Sequence, residues 1–191
     1  MKFIALIMLS CLLTGCAFTR DYVGIEYKPY FMPQRIVGAE NVEVSVNVND
    51  VRVKENIGYK VNGYGMEMAN IMANNDVAEV FKNAIICELQ QRGFVITYDG
   101  SNLNIELCKF FNDFKPGLFS GSANSETVLN VILKKNGMVV YAKTIFGFGK
   151  EEPCFLAGGK NASLALERSL YHAVQKLMND PDFILALLAN N

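Results

Sequence analysis

The residue with the clearest chemistry in the sequence is Cys16, which directly follows Leu13, Thr14 and Gly15 at the end of a short apolar stretch. Small side chains at Thr14 and Gly15 let an extended chain enter a peptidase groove. The Cys thiolate is a strong nucleophile that can form a thioether with a diacylglyceryl group. The spacing is that of a bacterial lipobox, which predicts cleavage before Cys16 and lipidation of its sulfur. The alternative is an ordinary signal peptide that ends in Cys by coincidence.

The segment before Cys16 is typical of a secretory signal peptide, so residues 1–15 are predicted to be removed. Lys2 supplies a positive charge, and residues 3–13 form an apolar core. This core is too short to span a bilayer, which takes about 20 residues. Bacterial lipoproteins carry several acyl chains, enough to hold a protein on a membrane permanently. By analogy with enteric lipoproteins, Ala17 after Cys16 predicts the outer membrane, with the domain facing the periplasm.

Catalytic and cofactor chemistry is not indicated by the remaining residues. His172 is the single His of the chain, and no Ser or Cys nucleophile pattern lies near it. The segments 147–150 and 158–160 end in Gly-Lys pairs, but they lack the earlier Gly and the following Ser or Thr of a phosphate-binding loop. No metal-ligand spacing such as HExxH or CxxC occurs. We therefore expect no enzyme activity, no cofactor and no metal.

Three further Cys follow Cys16, at positions 87, 108 and 154. An odd number allows at most one intramolecular bridge in an oxidising compartment. Cys87 falls near the apolar face of a predicted helix and is interpreted as a small buried residue. Cys108 lies on a predicted strand and Cys154 in a predicted loop, so a disulfide between these two is one hypothesis and free thiols are the other.

Two other groups of residues are candidates for contact with a partner. Asp50 and Arg52 follow a predicted strand, where they either brace the turn as a salt bridge, the more common role, or bind a ligand or partner. The segment 111–119, at the start of the predicted loop 112–126, is rich in apolar residues, and long apolar loops are seldom only connectors. Its candidate contact residues are Phe114, Lys115, Leu118 and Phe119. They are expected either to fold back onto an open sheet face or to meet a partner.

The strands that must position these residues are predicted where apolar and polar residues alternate. The clearest strand has valines at every second position from Val42 to Val48. Further strands are predicted over 94–98, 103–107, 127–134 and 138–146. The last two are joined by a hairpin turn at 135–137. The connections predicted as loops are 56–75 (a loop or a weak hairpin), 112–126 and 148–160.

Two long helices are predicted from apolar residues at helical spacing. Asp76 caps the first, which ends at Gly93, and Asn161 caps the second. A short final helix follows the break at Asp180-Pro181. An antiparallel sheet with one half-buried face is naturally covered by such helices. The predicted fold is therefore α+β: a mainly antiparallel sheet of about four to six strands, covered on one face by two helices, with a short extra C-terminal helix.

The composition fits one folded domain with a tether. The chain has 191 residues, 51% of them hydrophobic and 19% charged, which excludes a disordered protein. With 18 Lys and Arg against 19 Asp and Glu, it has no basic surface for nucleic acid. Residues 16–40, which include Pro29, Pro33 and five aromatic residues, are predicted to form a tether that lies partly along the domain. Residues 41–191 are predicted to form a single domain.

Together these features resemble the YajG-type family of uncharacterised bacterial lipoproteins. The resemblance rests on the lipobox at 13–16, on Asp50-Val51-Arg52 after the first strand, on Gln91-Arg92-Gly93-Phe94 after the first helix, and on the alternation over 103–107. It implies an envelope lipoprotein without an assigned activity, and it supplies no catalytic residues. The three later Cys and the segment 148–160 are not features of that family.

From these observations we expect a membrane-anchored, non-enzymatic lipoprotein whose periplasmic domain binds another envelope component through its loops or its exposed sheet face. One alternative is an accessory lipoprotein of an envelope transport or secretion complex, in which subunit contacts matter more than a ligand. Another is a carrier of a lipid or other hydrophobic ligand between the sheet and the helices. The membrane, reached through Cys16, is the partner that the sequence itself indicates.

Overall fold

A large sheet built around three long strands forms the centre of the domain. The computed structural model describes residues 18–29, 33–117 and 119–189. In chain order its elements are β1 (Asp21–Val23), a 3-10 turn (Ala39–Asn41), β2 (Glu43–Asp50), β3 (Gly58–Val61), β4 (Glu67–Ala73), α1 (Val77–Arg92), β5 (Val95–Ile96), β6 (Ser101–Lys115), β7 (Gly121–Lys135), β8 (Met138–Cys154), α2 (Gly159–Met178) and α3 (Pro181–Leu188).

The central strand of this eight-stranded sheet is β6. On one side it pairs antiparallel with β7, which pairs antiparallel with β8. On the other side, the first half of β6 pairs with β2, which is followed by β5. The second half of β6 meets β3, which is followed by β4 and β1. The two halves of β6 therefore carry two separate flanks of the sheet on this side.

Alternation along the strands places one set of side chains beneath the helices. Leu103, Ile105 and Leu107 of β6 are fully buried. Further along β6, Phe110 meets Phe81 of α1 edge-on, with the ring centroids 5.3 Å apart. α1 packs against β2, and α2 packs against β7 and β8. The predicted α+β class is confirmed, and the opposite face of the sheet is open.

The sheet differs from the prediction in size and in strand direction. It has eight strands instead of four to six, and it is mixed, because β2 runs parallel to β6 and β1 runs parallel to β4. A parallel pair needs a crossover connection, and the chain between β2 and β6 provides one through α1. The extra strands come from the β3–β4 hairpin and from β1, which lies in the predicted tether.

The prediction of a loop over 112–126 is wrong, because β6 extends to Lys115 and β7 begins at Gly121. A bulge between Leu107 and Lys109 shifts the register of β6. The buried positions therefore change from odd to even numbers, and the alternation visible in the sequence stops although the strand continues. The buried positions at the start of β7 hold small residues, Ala123, Ser125 and Thr127. Such residues give no apolar pattern.

The predicted loop 148–160 is also largely strand, since β8 runs to Cys154. Two glycines allow α2 to pack directly on the backbone of β8. A Cβ added at Gly149 would overlap the carbonyl oxygen of Ala165, and one added at Gly147 would overlap that of Ser169. The Gly-rich segment before Lys150 thus serves close packing between a strand and a helix.

The two long helices begin with different kinds of cap. Asp76 accepts hydrogen bonds from the backbone N–H groups of Ala78 and Glu79, and Gly93 ends α1 at φ 103°, as predicted. α2 begins at Gly159, before the predicted cap Asn161. The Asp21 carboxylate accepts the Gly159 N–H at 2.8 Å. The sequence could not indicate this cap, because only the fold brings residues 21 and 159 together.

The described parts of the predicted tether, residues 18–29 and 33–40, lie along the domain, and Ile36 N–H donates to the Arg92 carbonyl oxygen. β1 pairs with β4, and Ile25 is buried. The Tyr27 hydroxyl donates to Glu88 of α1 and accepts from Gln175 of α2. Glu88 is fully buried and forms an ion pair with Arg92. The N-terminal segment is therefore held by both long helices.

Candidate functional site

The first candidate site is the turn after β2, where Asp50 and Arg52 form a bidentate ion pair. Asp50 Oδ1 accepts from Nε of Arg52 at 2.9 Å, and Oδ2 accepts from Nη2 at 2.6 Å. Oδ1 also accepts the backbone N–H of Arg52 at 3.1 Å. This fork is a strong arrangement for Arg and a carboxylate. The pair braces the turn, which is one of the two roles inferred from the sequence.

Burial and charge act in opposite directions on the carboxyl group of Asp50. Burial raises its pKa, whereas the hydrogen bonds from the side chain and backbone of Arg52 and the charge of Arg52 lower it. The net result is a pKa below the ordinary value of Asp. The carboxylate therefore stays ionised at neutral pH and holds the guanidinium in one orientation.

Arg52 also lines a cavity, while one nitrogen of its guanidinium is shielded from solvent. The side chain is only 9% exposed. Its Nη1 is buried and has no hydrogen-bond partner within the part of the chain that the structure describes. Arg52 lines a cavity of about 260 Å³, which we call the Arg52 cavity. A buried donor without an acceptor is costly, so the site can be stabilised by a group that accepts a hydrogen bond.

The walls of the Arg52 cavity combine cations with apolar groups. Lys54 and Lys109 both line it, together with Phe111. Lys54 Nζ lies 5.5 Å from the centre of the Tyr59 ring, and that ring packs edge-on against Phe111. Lys109 forms an ion pair with Glu126 on β7. The cavity can therefore accept an anionic group that has an apolar neighbour.

The second candidate region is the end of the sheet where three connections meet, which we call the tip. It consists of the β3–β4 turn (62–66), the described residues 116, 117, 119 and 120 between β6 and β7, and the β8–α2 connection (155–158). All three line one cavity of about 300 Å³. Among the predicted contact residues, Phe114 and Lys115 line this cavity, and Phe119 is 90% exposed. Leu118 lies outside the described residues.

The structure separates the two sets of predicted contact residues. Asp50 is level with Leu107 of β6. Lys115 lies eight residues further along the strand, or about 26 Å at 3.3 Å per residue. Asp50 and Arg52 therefore form one site, and Phe114, Lys115 and Phe119 belong to another.

Further exposed apolar residues of the tip were not identified from the sequence. Each is more than half exposed: Tyr64, Met66, Phe155 and Leu156. Phe155 and Leu156 follow Pro153 in a segment predicted as a loop, and two adjacent large apolar residues in a loop were the available indication. The sequence offers no such indication for Tyr64 and Met66, because only the fold places the β3–β4 turn beside the other two connections.

The N-terminal segment enters the domain beside the tip. The Asp21 carboxylate accepts from Gly159 at the start of α2 and from Lys60 near the end of β3, at 2.8 Å and 3.0 Å. β1 runs parallel to β4, and β4 begins at the tip. The residues before Asp21 therefore lie on the tip side of β1. The lipobox residues Leu13, Thr14, Gly15 and Cys16 lie outside the described residues. Within the described ranges, no helix is long and apolar enough to cross a membrane.

His172 supports the outer strand of the sheet. Its Nδ1 accepts the backbone N–H of Phe148 at 3.0 Å, and its ring lies against the Phe148 ring. In the described sheet β8 pairs only with β7, so His172 supplies an acceptor that a further strand would otherwise provide. No group of three or more His, Cys, Asp or Glu that could hold a metal occurs in the described residues.

Cys87, Cys108 and Cys154 are free thiols in the structure. Cys108 lies at the β6 bulge, level with Val128 and Leu129 of β7, whereas Cys154 pairs with Gly121. Seven residues along β7 correspond to about 23 Å. A disulfide requires Cα atoms within about 7 Å, so of the two hypotheses this fold fits free thiols and not a Cys108–Cys154 bridge. Cys87 is half-buried and accepts a hydrogen bond from Gln91.

Comparison with known families identifies the class of protein. A family model described as uncharacterized lipoprotein matches residues 32–187. The chain belongs to this family. The match extends from before β2 into α3, so the folded domain carries the family pattern. Membership implies that this lipoprotein is anchored by lipid to a membrane of the cell envelope. Among curated protein sequences, none matches the chain.

Solved structures resemble the lipoprotein at low sequence identity. A crystal structure of a protein from Xanthomonas campestris has a TM-score of 0.51 at 13% identity, covering 84% of this chain and 92% of that one. A minor lipoprotein from Acinetobacter baumannii has a TM-score of 0.48 at 6% identity, covering 78% of this chain and 93% of its own. A hypothetical protein from Chlamydia trachomatis has 0.47 at 7% identity, covering 78% and 99%. The first of these shows a shared fold.

Proposed function

We propose that this protein is a non-enzymatic lipoprotein, anchored through Cys16 in the outer membrane, whose periplasmic domain binds another envelope component at the Arg52 cavity. The family supports the lipid anchor, and the lipobox supplies its point of attachment. Ala17 after Cys16 supports the outer membrane. Within the family, the residues 50–52 and 91–94 support membership of the YajG-type group.

The observation that carries the binding role is the unpartnered edge of the Arg52 guanidinium. Nε and Nη2 are used by Asp50, while the buried Nη1 has no acceptor among the described residues. An unmet buried donor costs about 1–3 kcal/mol. Nη1 is shielded in the free protein, so an anionic group of a partner removes that cost once the cavity lining moves to admit it. Phe111 and Val53 favour an apolar group next to the anion. A carboxylate or phosphate beside an aliphatic or aromatic group fits both requirements.

The surrounding side chains support binding rather than turnover. Asp50 is occupied by Arg52, Lys109 by Glu126, and His172 by the backbone of Phe148. These three groups are therefore engaged in structural contacts. The space between the sheet and the helices holds the hydrophobic core itself, which argues against the alternative of a carrier for a hydrophobic ligand.

The test is site-specific photo-crosslinking in living cells, with the photoreactive residue at Val53. Val53 is fully exposed and borders the Arg52 cavity. We expect one discrete adduct with an envelope component, and we expect Arg52→Gln in the same chain to abolish it. The matched control places the photoreactive residue at Tyr98, which is equally exposed and distant from the cavity. Urea unfolding establishes that the Arg52→Gln variant is folded.

An adduct that persists in the Arg52→Gln variant, or that forms equally from Tyr98, would reject the Arg52 cavity as the binding site. Adducts with several subunits of one machine would favour the accessory lipoprotein of a transport or secretion complex. Incorporation of a labelled fatty acid tests the anchor separately. We expect label in the wild type and none in Cys16→Ser.

A further inference from the structure

We propose that the tip rests on the membrane, with its exposed apolar side chains inserted among the lipid headgroups of the bilayer that holds Cys16. The partner of this surface is a phospholipid bilayer. The inference rests on the lipid anchor of the proposed function, but it concerns a different region from the Arg52 cavity. It assigns the tip residues a membrane contact in addition to the covalent anchor.

The first argument is the length of chain between the anchor and the domain. Asp21 is fixed by the Gly159 N–H, by Lys60 and by the pairing of β1 with β4. Four residues lie between Cys16 and this fixed point, and the five spacings from Cys16 to Asp21 reach at most about 18 Å when fully extended. A lipidated Cys16 therefore keeps the domain close to the bilayer, and the part of the domain nearest the entry of the chain faces the lipid.

The second argument is the chemistry of that nearest part. Six large apolar side chains there are each more than half exposed: Phe18, Tyr64, Met66, Phe119, Phe155 and Leu156. They come from the N-terminal segment and from all three connections of the tip, so one end of the domain collects them from separate stretches of sequence. Exposed apolar groups gathered on one surface mark a site of contact, and aromatic rings suit the membrane interface.

The charged residues around the tip are compatible with phospholipid. Arg20, Lys115 and Lys160 are all exposed there and can meet lipid phosphates. Glu152 lies on the same side, and its charge is balanced by Lys150 in an ion pair of 2.6 Å. Glu67 and Asp113 are also exposed beside the tip, so its charge is mixed and the apolar residues carry the inference.

The opposite end of the sheet provides the internal control. β6 begins at Ser101, about 46 Å from Lys115 at 3.3 Å per residue. Tyr98 lies just before that start and is 99% exposed. With the tip on the bilayer, Tyr98 points away from the membrane. The two aromatic residues Phe119 and Tyr98 are therefore similarly exposed but differ in their predicted distance from lipid.

The experiment uses the absence of Trp from the chain. Full-length lipidated protein carrying either Phe119→Trp or Tyr98→Trp is placed on vesicles of phosphatidylethanolamine and phosphatidylglycerol with brominated acyl chains. We expect the Phe119→Trp variant to lose about half of its fluorescence, because an indole at the membrane interface approaches the bromine atoms. We expect the Tyr98→Trp variant to be unaffected. Adding Phe155→Asp and Leu156→Asp to the Phe119→Trp variant should restore most of the fluorescence.

Flotation of the vesicles in a density gradient distinguishes a failure of the lipid anchor at Cys16 from a failure of the membrane contact of the tip. A Phe119→Trp variant that floats with the vesicles but is not quenched overturns the membrane contact of the tip and leaves the anchor intact. Equal quenching of both variants also overturns it, because the domain would then lie flat on the bilayer. A protein that does not float lacks the lipid anchor, and the inference about the tip fails with it.

Discussion

Alternate residues of the same strands lie on the helix-covered face and on the open face of the sheet. The two sides of the domain differ in which polar and apolar groups lack a partner among the described residues. On the covered face, Glu88 is paired with Arg92 and Gly149 lies against α2. On the open face the buried Nη1 of Arg52 lacks a partner in the described chain, and at the tip Phe119 is exposed. From this difference we expect stability and the proposed binding to depend on separate sets of residues. Substitutions in one set should leave the other property unchanged.

The largest loss of stability is expected for Glu88→Leu. The substitution leaves the guanidinium of Arg92 buried without its partner and removes the acceptor of the Tyr27 hydroxyl. Breaking a buried ion pair in this way costs about 3–5 kcal/mol in the free energy of unfolding, measured by urea denaturation. The crosslink from Val53 should persist under conditions in which the variant is folded.

Two variants accompany this measurement. Glu79→Gln breaks an exposed ion pair of the same helix, with Lys82, and should cost less than about 1 kcal/mol. Glu88→Leu combined with Arg92→Met removes both charges and should recover much of the loss. A cost for Glu88→Leu as small as that for Glu79→Gln would show that the buried pair does not stabilise the domain.

A smaller loss is expected for Gly149→Ala, which tests the close contact between α2 and β8. The added Cβ would overlap the carbonyl oxygen of Ala165, so the helix must move away from the strand. Overpacking of this kind costs about 1–3 kcal/mol. Gly63→Ala is the matched control, because nothing lies within 4 Å of a Cβ at that position. Equal stability of the two variants, measured by thermal denaturation, would contradict the packing described here.

The sequence predicts those parts of the fold that depend on local interactions. The alternating valines predicted β2, and Asp76 and Gly93 predicted the two ends of α1. It could not predict the full length of β6, because the bulge at Leu107 shifts the buried positions. It could not predict β1 either, since three residues give no periodicity and their pairing with β4 is set by the fold.

In the candidate sites too, the sequence indicates local groups of residues, and the fold determines which of these groups lie together. Asp50 and Arg52 were recognisable because the pair is local, but the burial of Nη1 depends on β6, which the sequence does not place beside them. Phe114, Lys115 and Phe119 were recognisable as an apolar segment. Their association with Phe155 and Leu156 was not, because these residues lie on separate connections that only the folded sheet brings together.

A still smaller and pH-dependent effect is expected for Asp21→Ala, at the point where the N-terminal segment enters the tip. The variant loses the cap of α2 and the ion pair with Lys60, which together should cost about 1 kcal/mol at pH 7. Burial raises the pKa of Asp21, but the Gly159 and Lys60 contacts outweigh it, so the pKa lies below the ordinary value.

A depressed pKa stabilises the folded state above the pKa of the unfolded chain, about 3.9, and this contribution is lost as the pH falls through the folded value. The difference in unfolding free energy between the wild type and Asp21→Ala should therefore shrink below about pH 4. Asp21→Asn, which keeps the size of the side chain but removes its charge, is the control and should show the same trend as Asp21→Ala. A difference that stays constant down to pH 2 would mean that the ionised carboxylate does not hold this segment.

The smallest effect on stability is expected for Phe119→Ser. Phe119 is 90% exposed, so its replacement should change the free energy of unfolding by less than about 0.5 kcal/mol. Phe110→Ala, at a residue of the same hairpin that is only 1% exposed, should cost about 3–5 kcal/mol. A cost above about 1 kcal/mol for Phe119→Ser would show that its ring packs on the domain. A negligible cost would mean that this large apolar side chain does not stabilise the fold and is available for contact with the bilayer.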